Sequence, residues 1–223
     1  MPIDEYSIWL ERFQSGRNVA ELERSYEELM QAVKRFQPLI LAETTGGRFQ
    51  GQGVPRVEVP FLYSWFALDL LPYRLRAGHE ELDVLPLKVL VLHHFIAAGE
   101  NEGKAVRVMG QWIDARSLQH GAVLGAHFAR TITDVLGTFF ELPRQKRLGA
   151  VLRWGGRPIE LGNEAYQFNF FPRLPCVLLH WRKDEEFGSY SKILYDVSAS
   201  NYLPTHALVS LTEFLVFRLA EGA

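Results

Sequence analysis

Tyr166-Gln167-Phe168-Asn169-Phe170-Phe171-Pro172-Arg173-Leu174-Pro175-Cys176-Val177-Leu178-Leu179-His180-Trp181 is the stretch on which the fold reading turns. Tyr166, Phe168 and Phe170 alternate with Gln167 and Asn169, and Val177, Leu179 and Trp181 alternate with Leu178 and His180. That period of two belongs to a β-strand. Pro172-Arg173-Leu174-Pro175 has turn chemistry, so the whole reads as an antiparallel hairpin. With Phe171 opposite Cys176, Tyr166 faces Trp181, Phe168 faces Leu179 and Phe170 faces Val177 on one surface. The other surface then carries Gln167 across from His180 and Asn169 across from Leu178. A slip of one residue would mix the two sets, so burial of the aromatic face is expected to select this register.

Outward from the hairpin, the pattern turns helical. Leu22, Tyr26, Leu29, Met30, Val33 and Phe36 recur at three- and four-residue steps, and a shorter amphipathic piece surrounds Ile8, Trp9 and Phe13. Thr44-Thr45-Gly46-Gly47 reads as a loop, 56–61 as a strand, and Tyr63–Leu71 as a strand buried on both sides. Pro86 opens a helix that is apolar almost all round, with Gly99 as its cap. A strand is expected over 105–113, a long helix through Leu124 and Phe139, and a shorter one from Pro143 to Arg153. A last helix runs through Leu208 and Leu219, opened by Thr205. The expected architecture is a single α+β domain over 1–223, with N-terminal helices in 1–37 and an antiparallel sheet packed against several helices.

Composition narrows the function classes. The 223 residues are 48% hydrophobic and 13% aromatic, enough for a sizeable core without a disulfide or metal staple. A net charge of −2 and a pI of about 6.4 supply no electrostatic reason to expect nucleic acid or an acidic membrane as partner. Cys176 is the sole cysteine, so this chain alone cannot form an internal disulfide or ligate an iron–sulfur cluster. The start Met1-Pro2-Ile3-Asp4-Glu5 lacks signal-peptide order, and Val84–Ala98 is too short and too interrupted to span a bilayer. The expectation is a cytoplasmic protein with a reduced, buried thiol.

Common catalytic signatures are missing: no Walker A loop, no His-Glu-x-x-His and no Gly-x-Ser-x-Gly. His93 and His94 are helical neighbours about 100° apart, so one is expected to face the core and the other a crevice. Arg182-Lys183-Asp184-Glu185-Glu186-Phe187 follows the hairpin, and Asp196, Ser198, Ser200 and His206 come soon after. Asp184, Glu186 and Asp196 together have the oxygen ligands a hard cation takes. The simpler reading is a solvated hairpin end balanced by Arg182 and Lys183.

Several blocks together resemble a family. They are Leu92-His93-His94-Phe95, Gly110-Gln111-Trp112-Ile113, Gly155-Gly156, Gly162-Asn163-Glu164-Ala165-Tyr166-Gln167-Phe168, Pro172-Arg173-Leu174-Pro175, Trp181, Asp184-Glu185-Glu186-Phe187, Ile193-Leu194-Tyr195-Asp196 and Tyr202-Leu203. In order, they resemble the uncharacterised prokaryotic family called domain of unknown function 3786, over roughly Leu39 to Leu215. Some members carry an adjoining iron–sulfur-binding segment and come from anaerobes, which implies redox or one-carbon metabolism and a protein partner within it. This sequence has Asn163 where an aspartate is expected.

Three functions follow as expectations. The first is a non-catalytic small-ligand-binding or accessory domain in anaerobic or redox metabolism, its site formed by Gln167, Asn169 and His180 with His93 and Arg173 as further candidates. The second is an enzyme using a divalent metal held by Asp184, Glu186 and Asp196, with His180 or His206 as acid–base group. The third is a protein-interaction module around Tyr63, Trp65 and Phe66.

Overall fold

A computed structural model describes residues 19–101, 103–182 and 188–221, with side chains left aside at 123–131. The piece around Ile8, Trp9 and Phe13, and the acidic loop at 183–187, lie outside the described residues. The chain divides into two compact units, one of residues up to Val106 with Asn201–Leu203, the other of Arg107–Ser200 with the residues from Pro204 on. Each contains a five-stranded antiparallel sheet and helices, the expected α+β class.

The first unit begins with α1 (Val19–Val33), which buries Leu22, Met30 and Val33 at helical spacing. α2 (Pro38–Thr45) starts on its proline and ends at Gly46, whose φ of 74° is left-handed backbone that glycine adopts without strain. Thr44 and Thr45 therefore close a helix where a loop was expected, each hydroxyl bonding back to the Leu41 turn. A meander follows: β1 (Arg48–Gln50), β2 (Arg56–Phe61), β3 (Ser64–Leu70), β4 (Tyr73–Ala77) and β5 (Glu80–Glu81). One face of it is apolar and fully buried through Val57, Val59, Phe61, Phe66, Leu68 and Leu75. α3 (Leu85–Gly99) is the helix apolar all round. Gly99 lies inside it, not past its end, and a Cβ there would come within 2.7 Å of the Phe36 ring. Close helix packing, not capping, is the reason for that glycine.

The second unit holds β6 (Trp112–Asp114), α4 (Gly121–Glu141), α5 (Arg144–Arg153), β7 (Arg157–Ile159), β8 (Glu164–Phe171), β9 (Leu174–Trp181), β10 (Tyr190–Asp196) and α6 (Thr205–Glu221). Its sheet runs β6-β10-β9-β8-β7. Of the strand expected over 105–113, only Trp112 and Ile113 lie in β6, which runs on to Asp114.

The hairpin exists, but in another register. Glu164 pairs with His180, Tyr166 with Leu178, Gln167 with Val177 and Phe168 with Cys176. The connection is Pro172-Arg173 alone, because Leu174 already pairs with Phe171, and an irregularity between Asn169 and Phe171 resets the alternation. The shift involves an odd number of residues, so it moves His180 to the face of Tyr166 and Phe168, opposite Gln167 and Asn169. The expected polar face of Gln167, Asn169 and His180 does not form. The physical reason is that β9 is buried on both sides: Cys176, Val177, Leu178 and Leu179 are at most 1% exposed, so the strand has no half-solvated pattern to fix register.

Candidate functional site

The inner face of this second sheet meets α4. Tyr166 of β8 and His180 of β9 both stack on Phe140, at 6.0 Å with 14° between planes and 4.6 Å with 13°. Phe140 thus packs against both an aromatic ring and an imidazole of the same sheet face. On the neighbouring strand, Ser191 places its hydroxyl 2.9 Å from His180 Nδ1. Burial lowers the His180 pKa, Glu164 acts against that shift, and Arg147 and Arg182 reinforce it. The imidazole is therefore neutral at pH 7.

A cavity of about 390 Å³ opens over this pair. Its walls are Phe140, His180 and Ser191, with Asp134 and Glu141 from α4 and Tyr190 from β10. Asp134, Gly137, Thr138 and Glu141 follow the three- and four-residue steps of one helix face. Gly137 leaves space: a Cβ added there would meet nothing within 4 Å. Among the described residues no Lys or Arg lines the cavity, and the carboxylates there are Asp134 and Glu141.

Beneath the rings lies a charged clasp. Arg147 of α5, 7% exposed, donates to the Phe140 carbonyl at 2.9 Å and to that of Leu142. Its other nitrogens donate to Glu164 at 2.9 and 2.6 Å. Arg147 thereby satisfies carbonyls that the end of α4 leaves open, and ties that end to β8. The Tyr166 hydroxyl also donates to Glu164. Burial would push the Glu164 carboxyl up, but these hydrogen bonds hold it below its ordinary value. Burial and the Glu164 carboxylate together push Tyr166 up to about 12.

The expected site residues fall in several places. Gln167 and Asn169 lie on the outer face, bonded to one another at 3.3 Å, with Arg157 donating to Gln167 at 3.1 Å. Arg173 sits in the two-residue turn, at the far end of the hairpin from His180. His93 is half-buried on α3 of the first unit, while its neighbour His94 is fully buried with Nδ1 3.0 Å from the Tyr202 carbonyl. Tyr63 is 44% exposed, but Phe66 is buried on the apolar face of its sheet.

Asp184 and Glu186 lie outside the described residues. Asp196 is buried, and its carboxylate accepts from the Met109, Gly110 and Ser198 amides and from the Ser198 hydroxyl. Burial would raise its pKa; these bonds lower it instead. The carboxylate is committed to holding the entry into β6. Among the described residues no three His, Cys, Asp or Glu side chains gather as a metal site. Cys176 is fully buried and its thiol is pushed up by burial. Among the described residues no helix is long and apolar enough to cross a membrane.

Ser191 and the α4 residues were not among the expected site residues. The only signal for Ser191 was its place in Tyr190-Ser191-Lys192-Ile193, whose alternation marks a strand beside the hairpin.

Fold and cavity define an α+β domain built on antiparallel sheets, with a polar pocket between a helix and one of them. The family model described as "Domain of unknown function (DUF3786)" matches residues 37–218, and the chain belongs to that family. Neither the curated proteins nor the solved structures contain a match to it.

Proposed function

We propose that the protein is a non-catalytic domain that binds a small cationic or polyhydroxylic ligand in the pocket over His180 and Ser191. The single observation that carries this reading is an imidazole, 2.9 Å from a serine hydroxyl, facing a cavity whose charged walls among the described residues are Asp134 and Glu141. Those carboxylates favour a ligand bearing positive charge or hydrogen-bond donors and disfavour an anion. With Nδ1 engaged by Ser191, Nε2 of His180 is the ring atom that meets the ligand. The Tyr166–Phe140–His180 stack keeps the imidazole oriented before binding, which lowers the ordering cost. The resemblance to relatives with iron–sulfur segments supports an accessory role beside a redox partner. The buried Cys176 thiol supports binding, rather than thiol chemistry, as this domain's own part.

The test uses a matched pair of probes, putrescine and succinate. At a putrescine concentration one hundred times its Kd, linkage stabilises the folded chain by about 2.7 kcal/mol, an upward Tm shift of roughly 5–10 °C at this size. Succinate should leave Tm unchanged. Gly137→Leu fills the pocket from a position with open space and replaces glycine with a better helix former, so it should fold and yet abolish the putrescine shift. Equal shifts for both probes, or an undiminished shift in Gly137→Leu, would contradict the reading.

A further inference from the structure

Two rows of charge cross the sheet of the first unit. Arg48, Glu58, Ala67, Arg76 and Glu81 are successive register partners across all five strands. Gln50, Arg56, Asp69 and Arg74 form a second row across β1 to β4. These residues alternate along their strands with the buried apolar set, so both rows share the opposite face. Carboxylates form its floor: the Glu58 and Asp69 side chains are 6% and 4% exposed. Guanidiniums form most of its surface: Arg48 is 79% exposed, Arg74 40%, and Arg56 and Arg76 26%, while at the β5 edge the exposed Glu81 lies 3.6 Å from Arg74. Across β1 to β4 the charged groups that solvent meets are therefore mainly cationic, on a chain whose net charge is −2.

The two buried acids are not treated alike. Glu58 is saturated, with Arg48 Nε at 2.6 Å and Arg56 Nε at 2.8 Å. Asp69 has its guanidiniums only at 3.7 and 4.0 Å, both on Oδ2 and beyond hydrogen-bond reach. Its Oδ1 is buried with no hydrogen-bond partner among the described residues, and so is Nε of Arg76. A ladder serving only as structural ion pairs would be expected to close on this carboxylate, because a buried unpaired oxygen is costly. The gap instead asks for an incoming group that donates to Asp69 while accepting from Arg74 and Arg76.

We propose that this face docks an acidic segment of a partner protein. Such a segment, lying extended across the strands, brings carboxylates to the guanidiniums and backbone N–H groups to Asp69 Oδ1. An inorganic anion brings acceptors alone and repels Asp69, and a nucleic-acid backbone does the same along its length. Strands lie about 4.8 Å apart and the two rows about 7 Å, so Arg48 on β1 and Arg74 on β4 are separated by about 16 Å, the reach of about four to five extended residues. The segment thus carries two acidic residues about four apart. Beside the first row, a cavity of about 340 Å³ lined by Arg48, Pro60, Ser64 and Trp65 accepts one of its apolar side chains.

Fluorescence anisotropy on the full chain tests this at low salt with a labelled peptide carrying two glutamates four residues apart in a glycine–serine background. Binding is expected, should weaken as salt rises, and should fall about tenfold in Arg48→Gln/Arg74→Gln. The single Arg48→Gln variant, at a mostly exposed position where Arg56 still holds Glu58, keeps the test valid if the double variant does not fold. The same peptide with lysines should not bind, and the pocket variant Gly137→Leu should bind the acidic peptide as the wild type does. No binding, unchanged binding in the arginine variants, or equally effective competition by octathymidylate or tripolyphosphate would overturn the proposal.

Discussion

His94 is fully buried on α3, with Nδ1 3.0 Å from the Tyr202 carbonyl oxygen. Burial pushes its pKa down to about 3, against an ordinary 6.5, with the Tyr202 carbonyl acting weakly in the other direction. Below pH 6.5 the unfolded chain takes up a proton that the folded chain refuses, so stability falls with acidification at about 1.4 kcal/mol per pH unit. Between pH 6.5 and 5 this side chain should cost the fold about 2 kcal/mol. His180, also depressed by burial, acts in the same direction. Asp196 and Glu164 have lowered pKa values, so their stabilisation is complete in this window and is lost only at lower pH. Urea unfolding across pH 5–7 should show a steep slope in the wild type and a flatter one in His94→Asn. Equal slopes would mean that His94 is protonated without penalty.

Among the elements, the junction of α4, α5 and β8 depends on one guanidinium. Arg147→Ala takes the guanidinium from Glu164, leaving it the Tyr166 hydroxyl, and removes that donor from the Phe140 and Leu142 carbonyls, which should cost about 3 kcal/mol in chemical denaturation. Because Phe140 orients His180, the variant should also weaken ligand binding in the pocket. A loss under 1 kcal/mol would show the clasp to be ornamental. Element by element, legibility in the sequence followed amphipathicity. α1, α3, α4 and α6 were readable because apolar residues recur at helical steps or fill a helix all round. β8 was readable, since Gln167 and Asn169 alternate with buried rings. β9 was not readable in register: residues 174–179 are all buried, and a strand buried on both faces looks the same after any slip. That missing signal moved His180 to the wrong face and hid Ser191, its actual partner. Asp196 looked like a metal ligand in the sequence because nothing local announces that amides from Met109 and Gly110 fold back onto it.

For the whole molecule, composition concealed more than it revealed. A near-neutral chain sets an arginine surface on one sheet and, against the other, a pocket that among the described residues holds two carboxylates and no Lys or Arg. Membership of the DUF3786 family covers both units without naming a chemistry, so the chemistry rests on these two local charge patterns. They make opposite demands: a donor-bearing ligand for the pocket, an acidic segment for the sheet. The most direct measurement is a putrescine titration of the full chain labelled with 15N-histidine, followed by NMR at pH 7. The signals of His180 should move and saturate while those of buried His94 stay fixed, and Gly137→Leu should remove the response. An unmoved His180, or equal movement of all seven histidines, would contradict the account.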